Sequence, residues 1–349
     1  LSLSATASLS EGGLGTYSAS VDHAVTGSPL QVSLSNGQTL TIPVGGTSAS
    51  VTVTAPDDVY SGGNSLSVTV TGTSGANYEN LVIGSGAAGS PVVTTVLDDG
   101  DVTTVSLSAT ASVTEGGSIV YTASLDHAAQ SPVTVTLDNG LVITIGAGDT
   151  LGSASIVTSD DVYLDAGNVS ATIVSASGGT FESLAIDATP AVTYVNDDSD
   201  VTTVSLSGDG SVAEGATASY TVSLTSPAQS DVVVNLAYSG TAANGADFSG
   251  VASVTILAGT SSASFSLATL DDSVVEGSES FSVSIASASG GTFENLVVSG
   301  SNSSVTTTLA DNDATTLSVS SPIIPEAGGY AQFTVSLSNL SSQPTTLSL

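Results

Sequence analysis

This chain predicts an all-β fold, built as β-sandwich domains in a linear array, and three observations carry that reading. Hydrophobic residues alternate with Ser and Thr at a period of two, and no segment holds a helical period. Asn-Gly and acid-rich turns punctuate the alternating runs. Almost the same words also return at a fixed spacing: LDDGDVTTVSLSATASVTEGG, VNDDSDVTTVSLSGDGSVAEG and LADNDATTLSVSSPIIPEAGG.

The repeat is justified by three landmarks in phase. The Glu of an E-G-G or E-G-A element recurs at Glu11, Glu115 and Glu214, and again within E-A-G-G at Glu326, roughly 100 residues apart, the size of an autonomous sandwich rather than a solenoid unit. A second landmark is Asp57-Asp58, Asp160-Asp161 and Asp271-Asp272, and a third is NYENL, TFESL and TFENL with Glu79, Glu182 and Glu294. Junctions are expected at Asp101, Asp200 and Asp313. They give repeats over 1–101, 102–200 and 201–313 and the start of a fourth over 314–349, too short for a core of its own. Both ends of the chain lie inside repeats, so an internal stretch of a longer protein is expected.

Within repeat 2, Val133, Val135 and Leu137 alternate with Thr134 and Thr136. Asp138-Asn139-Gly140 then turns the chain into Val142 to Ile145, and repeat 1 does the same around Asn36-Gly37. Asn-Gly here predicts a type I′ hairpin with positive φ at both positions. Repeat 3 replaces the tight turn with a longer Tyr238-to-Phe248 segment. Tyr17, Tyr121 and Tyr220 follow the repeated Glu by the same interval and read as core aromatics. About seven antiparallel strands per repeat, packed as two sheets, are expected.

Composition narrows the function. The 349 residues include 32 acids and no Lys or Arg, for a formal charge of -32. Without cationic side chains each carboxylate must be solvated, hydrogen-bonded or metal-bound, and nucleic acid and anionic membrane surfaces are excluded as partners. No apolar run approaches the ~18 residues that would span a bilayer, so no membrane insertion of this segment is expected. With 40% hydrophobic residues the chain is too apolar to be disordered. Cysteine is absent, and metal ions are the common staple where disulfides are missing. This suits an extracellular or cell-surface protein of a Gram-negative bacterium, bathed in millimolar calcium.

Calcium takes six to eight oxygens, gathered from several loops. In repeat 3 the candidates are Glu214, Asp247 in the inserted segment, Asp271, Asp272 and Glu276 after a central strand, and Asp311 and Asp313 at the exit. In a sandwich, alternate loops and the exit share one end, where these acids would converge.

GTAANGADF, ILAGTSSASFSLATLDDSVVEGSESFSVSI and a closing DND make repeat 3 resemble a Calx-beta domain, a calcium-binding β-sandwich. The resemblance assigns the same seven acids as ligands. TVSLSATASVTEGGSIVYTASL, NGLVITIGAGD, SDDVYLDAGNVSATI and GGTFESLAIDATPAVTYV make repeats 1 and 2 similar to the immunoglobulin-like repeats of giant RTX adhesins of the LapA type. By that analogy repeat 2 would use Glu115, Asp160, Asp161, Asp165, Asp198 and Asp200. Repeat 1 would use Glu11, Asp57, Asp58, Asp99 and Asp101, with Ser61 or Gly62 where a further acid is expected, implying a weaker site or fewer ions. The resemblance implies tandem immunoglobulin-like and Calx-beta-like sandwiches, although the GGxGxD nonapeptides of the RTX end are missing.

His23 and His127 sit in equivalent Asp-His-Ala turns, and such duplication argues for loop residues rather than a catalytic triad. No catalysis is expected. The reading that follows is a structural extender of a secreted bacterial adhesin serving cell attachment or biofilm formation. Calcium ions would hold neighbouring repeats in line, with lateral copies in a fibre as further partners. Two other classes stay open: a self-assembling matrix or sheath filament subunit, and a non-catalytic spacer of a large secreted hydrolase.

Overall fold

The computed structural model describes residues 1–87, 90–323 and 326–348. Every regular element in it is a strand, as alternation with Ser and Thr requires. The chain forms two compact units. One comprises Leu1–Val113, Gly117–Thr158 and Asn168–Tyr194; the other comprises Thr114–Gly116, Ser159–Gly167 and Val195–Leu349. The acid-bearing loops of repeat 2 therefore belong to the same unit as repeat 3.

Repeat 3 is the fullest sandwich. One five-stranded sheet runs Phe248–Ser249, Ser262–Thr269, Thr217–Leu224, Val201–Gly208, Asn295–Val298; the other runs Ser211–Ala213, Ser304–Ala310, Glu279–Gly290, Val232–Gly240, Ser253–Ile256. Between them lies a core of small and β-branched residues around Tyr220, Phe248 and Phe281, all at most 1% exposed. Tyr17 and Tyr121 hold the matching place in repeats 1 and 2, at 3% and 0% exposed. Burying such side chains contributes about 1.5–3 kcal/mol each.

Two local expectations are corrected. The Asn-Gly turns are not type I′: Gly37 and Gly140 have φ of 82° and 83°, but Asn36 and Asn139 are not left-handed. Gly37 donates to Leu34 O while Leu34 donates to Gln38 O, and Gly140 and Leu137 repeat the pattern with Leu137 O and Leu141 O. That is a three-residue loop, a type I turn closed by a left-handed glycine. The Asn side chain accepts the amide two residues on, which favours this turn (Asn139 Oδ1 from Leu141, 3.0 Å).

Nor is the pairing wholly antiparallel. The short strand before each repeated Glu runs parallel to the last strand: Ser8–Ser10 beside Val92–Leu97, and Ser211–Ala213 beside Ser304–Ala310. Buried threonines clamp this pair, with Thr94, Thr193 and Thr307 donating to the carbonyls of Thr6, Thr110 and Asp209. Parallel strands exit at the same end. This pairing is what carries the repeated Glu and the terminal acids to one place. Among the described residues, 314–348 contribute only the pair Leu317–Val319 and Val335–Leu337, with apolar side chains such as Tyr330 and Leu340 exposed.

Candidate metal centre

Each acid end is assembled from three chain segments. The parallel pair delivers the first two: the amides of Glu11, Glu115 and Glu214 donate to Leu97, Asn196 and Ala310 carbonyls at 2.9, 3.0 and 3.1 Å. The loop after the central strand delivers the third. Its amides at Gly62, Asp165 and Glu276 donate to the terminal carboxylates of Asp98, Asp197 and Asp311, at 3.0, 3.1 and 2.6 Å. The glycine after each repeated Glu is required here. Gly12, Gly116 and Gly215 have φ of 63°, 68° and 73°, and a Cβ on them would come within 3.5, 3.3 and 3.1 Å of Asp57, Asp160 and Asp271.

Among the described residues five triads result, each with carboxylate oxygens within 4.8 Å of one another: Glu11, Asp98 and Glu182; Asp57, Asp99 and Asp101; Glu115, Asp165 and Asp197; Asp160, Asp198 and Asp200; Glu214, Asp311 and Asp313. The other candidates stand around them. Asp58, Asp161 and Asp272 cap their own loops by accepting from the amides of Tyr60, Tyr163 and Val274, and Asp58 also donates its amide to Glu11. Asp271 accepts from the Asn312 side chain. Glu276 is tied by its amide to Asp311. Asp247 lies in none of these triads; it accepts from the Ala243 amide, and burial, followed by the Asp247 charge, raises the pKa of Glu279.

Four acids in or beside these triads were not singled out as ligands from the sequence: Asp98, Asp197, Glu182 and Glu294. Glu182 and Glu294 are the glutamates of the third landmark, so their signal was in the repeat itself. They reach the acid end of the preceding repeat because the strand opening each repeat pairs in parallel with the segment after this Glu, Val102 with Ser183 and Val201 with Asn295. Glu182 Oε2 accepts from the amides of Gly100 and Asp101 at 2.6 and 2.7 Å, and Glu294 Oε2 from Asp200 at 2.7 Å.

Crowding of like charges shows in the titration behaviour. Burial first, then Asp165, pushes Glu115 up to about 7. Burial and the charges of Asp311 and Asp272 raise Glu214, and burial followed by Asp311 raises Asp313. The charge of Asp198, ahead of burial, raises Asp200. At Glu11 the Asp58 amide pulls downward, yet burial and the neighbouring acids carry the pKa up. Carboxylates that resist ionisation this way lack a counter-charge.

The residues fit a cation. Glu115 Oε2, Glu214 Oε2, Asp313 Oδ2, Glu182 Oε1 and Glu294 Oε1 are buried with no hydrogen-bond donor among the described residues. Acceptors facing acceptors need a proton or a metal between them, and an all-oxygen set suits a hard divalent ion.

Residues 1–99, 101–198 and 200–312 each match the family model of the LapA domain. The chain belongs to the LapA domain family. Family membership gives its LapA repeats an adhesin-like role, carried by structural and binding domains. Among solved structures, the apo-form Calx CBD1 domain is 21% identical, covering 33% of this chain and 100% of that one at a TM-score of 0.29. The calcium binding domain CBD12 of CALX1.1 is 14% identical over 58% of this chain and 98% of its own, at 0.27. The native conformation of E. coli alpha-2-macroglobulin is 12% identical over 91% of this chain and 24% of its own, at 0.22. No curated protein matches. Among the described residues no helix is long and apolar enough to cross a membrane.

Proposed function

We propose that these LapA repeats are an extender segment of a secreted adhesin on a Gram-negative cell surface, with calcium bound at the acid ends stiffening the joints. The repeats would be bounded at Asp101, Asp200 and Asp313. One observation carries the reading: the Glu182 carboxylate lies in a triad with Glu11 and Asp98 of the preceding repeat. An ion held by carboxylates on both sides of a joint ties two repeats, where an empty cluster would push them apart. The triads with Asp160, Asp198 and Asp200 and with Glu115, Asp165 and Asp197, beside Glu294, would serve the second joint. Glu214, Asp311 and Asp313, with Asp271, Asp272 and Glu276 around them, would serve the third. The role needs no catalysis; adhesive specificity would lie in other domains.

At millimolar calcium a site of about 10⁻⁴ M affinity is roughly 90% filled and adds about 1–2 kcal/mol per ion. Small-angle scattering of the chain should show a single extended population in calcium. In chelator the radius of gyration should fall and the distribution of dimensions broaden, and Asp198→Asn with Asp200→Asn should loosen the second joint alone. Identical scattering in calcium and chelator would rule the strut out.

A further inference from the structure

The acids are only half of each joint. Two residues beyond the first and second Asp-Asp landmarks stands a tyrosine, Tyr60 or Tyr163, and each enters the Gly-Gly-Thr-Phe turn of the following repeat. Tyr60 forms an antiparallel bridge with Phe181, and Tyr163 with Phe293. Two backbone bonds frame each bridge. Ser61 donates to Thr180 O and Glu182 to Val59 O, at 2.9 and 3.1 Å; Leu164 donates to Thr292 O and Glu294 to Val162 O, at 2.9 and 3.0 Å. In that register the bridged pair is the one not hydrogen-bonded to each other, which brings its side chains close. The rings accordingly stack, with centroids 5.6 and 5.5 Å apart at 22° and 24°. Each tyrosine hydroxyl then donates 2.7 Å to a carbonyl of the same following repeat, Ala128 O or Pro227 O.

The receiving turn is shaped for this. A Cβ on Gly179 or Gly291 would strike the Phe181 or Phe293 ring at 2.2 and 2.3 Å. Thr180 and Thr292, which accept the incoming amide, sit at φ of 61° and 60°, a left-handed conformation that a β-branched residue rarely keeps. Val162 and Tyr163 also pack against the hydrophobic core of repeat 3.

We propose that Tyr60 and Tyr163 are ion-independent pivots: each docks the acid loop of one repeat into the Gly-Gly-Thr-Phe turn of the next, so that the repeats stay paired when the metal sites are empty. A stack and two backbone bonds fix a point, not an angle, and the acid clusters supply the second point of attachment. The same bridge holds Glu182 and Glu294 by their amides, which makes the tyrosines positioning residues for those carboxylates. The loop of repeat 3 has Val274 in place of the tyrosine. Its Val275 amide donates to Leu340 O at 2.9 Å in a parallel bridge with Ser341, a pairing of the other sense in which neither bridged residue is aromatic.

Hydrogen exchange on the intact chain in chelator tests this without reference to calcium. The amides of Ser61, Leu164, Glu182 and Glu294 should exchange at least about tenfold more slowly than those of exposed loops, and Val275 should be less protected than Ser61 and Leu164. Tyr60→Ala with Tyr163→Ala should erase the protection at those four amides while leaving that of the strand interiors, and Tyr→Phe should retain most of it. Exchange of the four amides at open-loop rates in the parent chain would overturn the pivot, as would unchanged protection in the alanine variant. If interior strand protection falls too, the native chain and the phenylalanine variant still decide the question. Loss of scattering response to calcium with the four amides still protected would instead remove the calcium strut and leave the pivot standing.

Discussion

The joints after repeats 1 and 2 share a backbone plan but not the same set of clustered acids. At the second, Asp165 donates its amide to Asp197 and adds its own carboxylate to the triad with Glu115. At the first, Gly62 makes the same amide bond to Asp98 but has no carboxylate, and Glu182 of the following repeat takes the third place beside Glu11. An acid missing from one side of a joint is thus supplied from the other. Repeat 1 is thereby the more dependent on its neighbour.

The largest expected effect follows from that dependence. Glu182→Gln keeps an acceptor for the Gly100 and Asp101 amides but removes the third charge of the Glu11 triad, so calcium affinity there should fall by about 10- to 100-fold. Glu294→Gln should cost less than about tenfold, because the triad of Glu115, Asp165 and Asp197 is complete without it. Titration calorimetry on the two variants checks this ordering, and equal losses would show that the two joints do not differ in their dependence on the following repeat.

The position that distinguishes the two joints, Gly62 in one and Asp165 in the other, can be exchanged. Asp165→Asn should lower affinity at the second joint by about tenfold and make its binding depend on Glu294. Gly62→Asp should restore less than this at the first joint, since Gly62 has φ of 132°, where an L side chain is strained. A full reciprocal gain would mean that the loop relaxes.

The smallest effect is on pH dependence. Glu115 is raised to about 7 by burial and Asp165, from an ordinary value of 4.5. A carboxyl with a raised folded-state pKa contributes stability that is complete below 4.5 and lost as pH rises through about 7. In chelator, repeat 2 should therefore melt at a lower temperature at pH 8 than at pH 5.5, and calcium should flatten that slope. Thermal unfolding followed by circular dichroism reads it, and stability rising with pH in chelator would contradict it.

Much of this was legible in the sequence. Period-two alternation sufficed for the fold, and the phased landmarks located Glu11, Glu115 and Glu214 and, of the acids that meet them, Asp165, Asp311 and Asp313 but not Asp98 or Asp197. The type I′ expectation failed because Asn-Gly suits both two- and three-residue loops, and closing hydrogen bonds choose between them. Glu182 and Glu294 were visible as landmarks but not as cluster members. Their place depends on a parallel pairing, Val102 with Ser183 and Val201 with Asn295, that side-chain alternation does not encode. Tyr60 and Tyr163 were hidden for a related reason: a tyrosine beside acids looks like any turn residue until its partner turn is brought to it.

If one ion is bound from both sides of a joint, it fixes the orientation of successive repeats. The chain contains no cysteine, so spin labels can be placed singly at Thr41→Cys and Thr144→Cys, on exposed strand positions of repeats 1 and 2. The distance distribution between them should be narrow in millimolar calcium, broad in chelator, and broad in Glu182→Gln at the same calcium concentration. A distribution whose width is the same in all three samples would mean that no shared ion orients the two repeats.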